Sequence, residues 1–193
     1  MNLRKSGLFI PEFRYAPRHA FLDVRDLFLY NLIDVIIMEL YKIIKGCMAM
    51  ERIVATIYNT FAQLFPEEKL FWEDLARDEQ DHASWLSNVK FFEMIDLLPS
   101  TEILPTKELI ANSLKFAENK NMHLRSNLVS LEEALTLALH LEESMVEIFA
   151  NELIAHVLAM NYESLSRKIL MAEKIHKDKI EDMMITKGFL QLS

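Results

Sequence analysis

The sequence predicts an all-α protein, built as a four-helix bundle with one extra helix near its N-terminus. Only three Gly and five Pro occur among the 193 residues, and the helix-favouring residues Ala, Leu, Met, Glu and Lys are abundant. Apolar residues recur every three or four positions along four long stretches, as they do in helices that bury one face. We therefore expect helices that pack around a shared core.

Composition also limits the classes of function. The formal net charge is −8, and no basic run is long enough to follow a phosphate backbone, so binding to nucleic acid is not expected. The single cysteine, Cys47, excludes an internal disulfide and a four-cysteine metal site. Together with the lack of a clear signal peptide, it predicts a protein of the reducing cytoplasm.

Residues 1–38 are predicted to precede the bundle domain, which spans 39–193. They begin as an extended arm without periodicity, and an amphipathic helix is predicted from Ala20. The most apolar stretch, 21–44, carries six charged residues, which argues against a membrane span. This helix could cover the bundle, pair with a second copy of the chain, or lie on a membrane surface.

The first two bundle helices are delimited by proline. Helix A is predicted near 39–65, with Gly46 either as a weak point or as its junction with the N-terminal helix. Helix B is predicted over 67–98, directly after Pro66. Two further prolines then open a long connection, 99–130, with a short helix in its middle, near 106–118.

The last two helices show cap residues. Ser130 and Glu133 form the pattern of a capping box, which opens helix C over 131–158. Helix D is predicted over 162–187 and ends at Gly188. The short A–B and C–D links make two antiparallel hairpins, and the long B–C connection is sufficient to cross the length of the bundle.

Each of the four apolar stripes contains titratable groups where core residues are expected. They are Glu51 on A, Glu79 and His82 on B, Glu142 on C, and Glu173 and His176 on D. An unpaired carboxylate in a protein core costs several kcal/mol, and four of them repel one another. Two divalent cations would balance four carboxylates. Carboxylate and imidazole ligands suit iron or manganese, with zinc as a further candidate.

Helix geometry predicts that these groups meet. Residues three apart share a helix face, so each Glu-x-x-His pair can hold one site. Glu51 lies 14 residues before Phe65, about 21 Å along a helix, and Glu79 lies 12 residues after Glu67, about 18 Å. The hairpin therefore brings both carboxylates to nearly the same level. In the second hairpin, the midpoint between the two Glu residues also falls at the expected turn.

The two halves of the chain share a longer pattern. In each half, a lone Glu is followed seven positions later by an aromatic residue, and a Glu-x-x-His run comes after the turn. These features stand at Glu51, Tyr58 and 75–82 in the first half, and at Glu142, Phe149 and 171–176 in the second. In these features, residues 40–187 resemble the rubrerythrin branch of the ferritin-like family. The resemblance implies a ferritin-like bundle with two iron ions, Glu51 and Glu142 as terminal ligands, Glu79 and Glu173 as bridges, and His82 and His176 as nitrogen ligands.

The chain departs from that family at three points. It lacks the four-cysteine rubredoxin domain, Met145 stands where many members have an additional Glu, and Phe149 stands where Tyr is usual. Tyr58 is either a hydrogen-bond donor to a ligand carboxylate or an ordinary core tyrosine. Glu143 competes with Glu142 as a ligand but lies off the stripe, so Glu142 is preferred.

The leading functional hypothesis is a di-iron protein that oxidises Fe(II) with O2 or hydrogen peroxide. Ferroxidase, peroxidase and oxygenase activity stay open as alternatives, and a peroxidase would need an external electron-donor protein. An iron storage or transport assembly is a second hypothesis, and a metal-free structural bundle is a third. A homo-oligomer, dimeric or larger, is expected.

Overall fold

The described part of the chain is entirely helical. The computed structural model describes residues 24–87, 105–144 and 163–191, with the backbone alone for most of 24–40 and for 163–174. The helices within these ranges are α1 Val24–Leu64, α2 Lys69–Ser87, α3 Lys107–Leu124, α4 Leu131–Glu142 and α5 Glu163–Thr186. No strand occurs among them, which confirms the all-α prediction.

The chain divides into two compact units, residues 1–35 and residues 36–193. All the contacts described below lie in the second unit. The predicted division at residue 38 stays a prediction. None of the described helices combines the length and apolarity that a bilayer crossing requires.

Helix α1 continues through Gly46, so the predicted N-terminal helix and helix A form one continuous helix in the structure. The glycine has a packing role instead. A Cβ atom placed on it would lie 2.3 Å from Cγ2 of Ile110, a buried residue of α3. The missing side chain therefore allows α3 to pack closely on α1.

The connection between α1 and α2 is short, as predicted. Pro66–Glu68 form one 3-10 turn, and Pro suits its first position because that position needs no N–H donor. The carboxylate of Glu68 is buried and pairs with Lys187, which follows the end of α5. This ion pair connects the α1–α2 turn to the end of α5.

Cap residues fix three helix ends. At the start of α3, which is longer than the helix predicted at 106–118, Thr106 accepts a hydrogen bond from the N–H of Leu109 at 3.1 Å. The predicted capping box is confirmed, because Ser130 Oγ accepts from the N–H of Glu133 at 3.2 Å, and Glu133 Oε2 accepts from the N–H of Ser130 at 2.8 Å. Gly188, with φ 79°, ends α5 as predicted.

Two predicted helices extend into undescribed residues. Helix B was expected to reach 98, but residues 88–104 lie outside the described part of the chain. Helix C was expected to reach 158; α4 ends at Glu142, a turn follows at 143–144, and the residues from 145 to 162 are not described.

The core lies on the predicted stripes and beyond them. The apolar stripe that the sequence predicts for helix A includes Ile44, Ala55, Tyr58 and Ala62, and all four are buried on α1. The buried face of this helix is wider than the stripe, because further residues, Cys47, Val54, Ile57 and Phe61, are buried too. Trp72 of α2 is also fully buried, with its ring centroid 4.8 Å from that of Phe61 and 5.8 Å from that of Tyr58.

We expect Gly46→Ala to destabilise the protein by about 1–2 kcal/mol. Crowding in a packed core costs about 1–3 kcal/mol, which exceeds the roughly 1 kcal/mol that Ala gains over Gly in a helix. Urea unfolding of the full chain measures this difference.

The Ile110→Ala background is the matched control. There the space beside residue 46 is open, so the same Gly46→Ala change should become stabilising. A stabilising effect in the wild-type background would contradict the packing role of Gly46.

Candidate metal site

Four helices bring five of the six sequence-predicted ligands together. Glu51 lies on α1, Glu79 and His82 on α2, Glu142 on α4 and His176 on α5. Each of these side chains is at most 4% exposed. The sixth predicted ligand, Glu173, lies on α5 one turn before His176, but its side chain is outside the described part of the structure.

The first group consists of Glu51, Glu79 and His82. The imidazole Nδ1 of His82 lies 3.0 Å from Oε2 of Glu79 and 3.6 Å from Oε2 of Glu51. The i,i+3 spacing on α2 places the Glu79 and His82 side chains on the same face, and α1 supplies the third group from across the hairpin.

The second group consists of Glu79, Glu142 and His176. Nδ1 of His176 lies 3.1 Å from Oε1 of Glu79 and 3.5 Å from Oε2 of Glu142. Glu79 is shared with the first group: its Oε2 faces His82 and its Oε1 faces His176. The two imidazole rings stack beside it, with centroids 5.7 Å apart.

The geometry of both groups fits a metal ion. In each group, one donor atom from every residue lies within 4.8 Å of the others. Ligand atoms at about 2.0–2.2 Å from one ion lie up to about 4.4 Å from each other, so small shifts would complete either position. The buried Glu and His groups could therefore hold metal ions, and their oxygen and nitrogen donors suit a divalent transition metal.

Tyr58 contacts the second group directly. Its hydroxyl donates a hydrogen bond to Oε1 of Glu142 at 2.6 Å, while the other oxygen of Glu142 faces His176. The sequence left open whether Tyr58 is a hydrogen-bond donor to a ligand carboxylate or an ordinary core tyrosine. In the structure, it donates to a candidate ligand. The same ring also packs in the aromatic core against Trp72.

Asp78 is a site residue that the sequence reasoning missed. Its Oδ2 lies 3.0 Å from Nε2 of His176, and Lys179 on the same helix as His176 lies 3.7 Å from that oxygen and 2.8 Å from Asp74. A carboxylate only accepts, so the His176 Nε2 must carry the proton, which directs Nδ1 towards Glu79 and Glu142. The signal available in the sequence was the position of Asp78 directly before a core Glu.

Burial and the mutual proximity of these groups set their charge. Burial alone would raise the pKa of Glu79, but His176 and His82 hold it well below its ordinary value of 4.5. Burial and the nearby Glu79 raise the pKa of Glu142 above 4.5. Burial would lower the pKa of His176, yet the carboxylates of Asp78, Glu142 and Glu79 raise it to about 12.

These pKa shifts change the charge balance that was expected from the sequence, in which bound cations alone balance the buried carboxylates. Without metal, His176 is an imidazolium ion at neutral pH, and Glu142 retains its proton more readily than a free carboxyl group. Protons therefore balance part of the acidic cluster when no cation is bound. Metal ions would have to displace those protons in order to bind.

Other titratable and aromatic groups lie at the edge of the site or outside it. Glu143 is exposed and pairs with Lys177, in agreement with the preference for Glu142. Trp85 packs on His82, with ring centroids 5.5 Å apart. Cys47 is buried in the core, and His140 packs edge-on against Phe116.

Comparison with protein-family models, with curated protein sequences and with solved structures found no match to this chain. The family resemblance stays a prediction. The observed geometry of the five described side chains is therefore what carries a functional conclusion.

We expect the metal-free protein to lose stability as pH rises from 6.5 to 9. The pKa of His176 is about 12 in the folded state and 6.5 ordinarily, so its stabilising contribution is complete below pH 6.5 and declines towards pH 12. The raised pKa of Glu142 acts in the same direction above pH 4.5. The slope is limited to about 1.4 kcal/mol per pH unit for each group.

Urea unfolding of the chelator-treated chain at several pH values measures this slope. His176→Gln should flatten it, whereas His123→Ala, at an exposed histidine, should retain it. An equal free energy of unfolding at pH 6.5 and pH 9 in the wild type would contradict the assigned charge state.

Proposed function

We propose that this chain is a ferritin-like di-iron carboxylate protein that oxidises Fe(II) with O2 or hydrogen peroxide. The observation that carries the proposal is the shared carboxylate of Glu79. Within the buried cluster, its Oε2 faces His82 of the first group and its Oε1 faces His176 of the second group. Two ions that share one carboxylate are held close together, which suits chemistry that removes an electron from each.

The residues that would hold the two ions follow from the two groups. Glu51 and His82 would bind one ion, Glu142 and His176 would bind the other, and Glu79 would contact both. Glu173 is proposed as the second shared carboxylate because of its position one turn before His176. Iron, when bound, supplies the one-electron chemistry and the affinity for oxygen.

The chain itself would supply the donor atoms, orient them and exclude bulk water from the site. Oxygen and nitrogen donors favour iron or manganese over metals that prefer thiolate ligands. The buried rings of Tyr58, Phe61 and Trp72 pack against one another, and Tyr58 orients Glu142 through its hydrogen bond. Burial of this kind excludes bulk water and strengthens each electrostatic contact.

One observation favours a second candidate, a structural bundle without metal. The His176 imidazolium ion is surrounded by three carboxylates, so protonation alone offsets part of the buried charge. This candidate predicts that chelator has no effect on stability and that the purified chain holds no metal. The di-iron proposal predicts the opposite for both.

We expect about two metal ions per chain after reconstitution with Fe(II) under anaerobic conditions. Glu79→Ala should lose most of both ions because Glu79 belongs to both groups. Glu51→Ala and Glu142→Ala should each lose about one. Elemental analysis of the desalted protein measures the metal content.

Glu143→Ala is the matched control, because it removes an exposed carboxylate beside Glu142. It should retain the wild-type metal content. Retention of both ions in Glu79→Ala would contradict the shared-carboxylate assignment.

We also expect the protein to accelerate the loss of two added Fe(II) per chain when O2 or peroxide is admitted. A dye that chelates Fe(II) follows the loss, and parallel reactions with the two oxidants show which is used faster. Glu79→Ala should reduce the rate to that of Fe(II) in buffer, while Glu143→Ala should retain it. Bound Fe(II) that is oxidised no faster than free Fe(II) would end the oxidase proposal but leave metal binding intact.

A further inference from the structure

A cavity between α3 and α4 lies apart from the candidate metal site. Its volume is about 590 Å³, within the range of about 300–1,000 Å³ that is typical of small-molecule sites. Residues of α3, of α4 and of the loop between them form its sides, and the buried ring of Phe61 on α1 also lines it. None of the five described candidate ligands lines it, so this cavity is separate from the metal site.

The cavity has an extensive apolar lining. Two phenylalanine rings and four aliphatic side chains contribute to it: Phe61, Phe116, Leu124, Val129, Ala134 and Leu137. Phe116 also packs edge-on against His140, with ring centroids 5.0 Å apart. A ligand with an apolar body would therefore bury that body against the rings and aliphatic groups, which is favourable because it removes apolar surface from water.

The α3 side of the cavity offers hydrogen-bond donors. The ammonium group of Lys120 lies 5.4 Å from the ring centroid of Phe116, and it has no carboxylate partner among the described residues. His123 follows one turn later on the same helix face. The side-chain nitrogen of Asn127 donates to the His123 carbonyl at 2.9 Å and to its Nδ1 at 3.1 Å, so Nε2 carries the ring proton. A carboxylate suits both donors.

The α4 side of the cavity offers acceptors. Glu133 is already engaged, because its Oε2 accepts from the N–H and the hydroxyl of Ser130 at 2.8 and 3.0 Å. The side chain of Glu132 is exposed and has no cation partner within the described ranges. The hydroxyl of Thr136 donates to the backbone carbonyl of Glu132 at 2.8 Å, so its oxygen can still accept. An ammonium group suits these acceptors.

We propose that this cavity binds a small zwitterion of the class of α-amino acids with a large apolar side chain. The apolar side chain of the ligand lies against the phenylalanine rings. Its carboxylate faces Lys120 and His123, and its ammonium group faces Glu132 and Thr136. Both sides of the cavity are then paired, whereas a ligand with one charge leaves one side unpaired. Binding requires no metal ion, so the inference goes beyond the proposed iron chemistry.

Three probes that share one phenyl group test this assignment by isothermal titration calorimetry of the full chain. L-phenylalanine carries both charges, phenylpropionate lacks the ammonium group, and phenethylamine lacks the carboxylate. Chelator in the buffer prevents a metal ion from holding the amino acid. We expect L-phenylalanine to bind most tightly and each of the other probes to bind about fivefold more weakly, which is the scale of a partly exposed ion pair.

Exposed charge variants assign each end of the ligand to its side of the cavity. Lys120→Gln should weaken the probes that carry a carboxylate about fivefold and leave phenethylamine unchanged. Glu132→Gln should weaken the probes that carry an ammonium group by the same factor and leave phenylpropionate unchanged. Lys115→Gln and Glu118→Gln are matched controls, exposed on α3 outside the cavity, and should change none of the three.

A larger side chain tests the location of the apolar body. Leu137→Trp should fill the cavity from α4 and abolish binding of all three probes. Leu137 is half-buried, so an unfolding curve shows whether this variant folds. The variants at Lys120 and Glu132 change exposed side chains and test the proposal whatever that curve shows.

No binding of L-phenylalanine up to about 10 mM would overturn the proposal. Equally tight binding of phenylpropionate would also overturn it, because the site would then recognise a simple carboxylate. Equal weakening of all three probes by either charge variant, or unchanged binding to folded Leu137→Trp, would overturn it as well. Each of these outcomes leaves the proposed function intact, because the metal ligands lie outside the cavity.

Discussion

The carboxylate of Glu79 is the group on which the arrangement of the core depends. It is almost completely buried, and each of its oxygens lies about 3 Å from a different imidazole, so its charge is retained against the cost of desolvation. His82 reaches it from the same helix and His176 from α5. The packing of α2 against α5 is thus linked to the charge state of one buried side chain.

Three lysines on α5 or directly after it form ion pairs with neighbouring elements. Lys179 lies between Asp74 and Asp78, Lys177 pairs with Glu143, and Lys187 pairs with Glu68. Exposed ion pairs of this type contribute little each, about 0–1 kcal/mol. Lys177 and Lys179 lie on α5 with His176, and their partners show that this part of α5 faces α2 and the end of α4.

Much of the fold follows from local sequence signals. The capping box at Ser130 and the glycine at 188 depend on residues within one turn, and both were predictable. The five described candidate ligands could be predicted because charged residues on an apolar stripe need a reason to be buried. By contrast, the stripe predicted for helix B contains Phe71 and Leu75 but not Trp72. Trp72 is nevertheless fully buried, because the aromatic residues of α1 pack against it.

The parts that the sequence did not reveal are contacts between helices. Asp78 reaches His176 across 98 positions of sequence, and no periodicity pairs one with the other. Gly46 was expected to be a weak point in a helix or the junction of two helices, whereas its role depends on Ile110 of α3, which packs against it. The protonation of His176 likewise depends on three carboxylates that only the folded chain brings together.

Anomalous X-ray diffraction at the iron absorption edge, from crystals of the iron-loaded chain, tests the central claim most directly. The account predicts two peaks on either side of the Glu79 carboxylate, one beside Glu51 and His82 and the other beside Glu142 and His176. An ordered cluster of these side chains with no anomalous peak between them would contradict it.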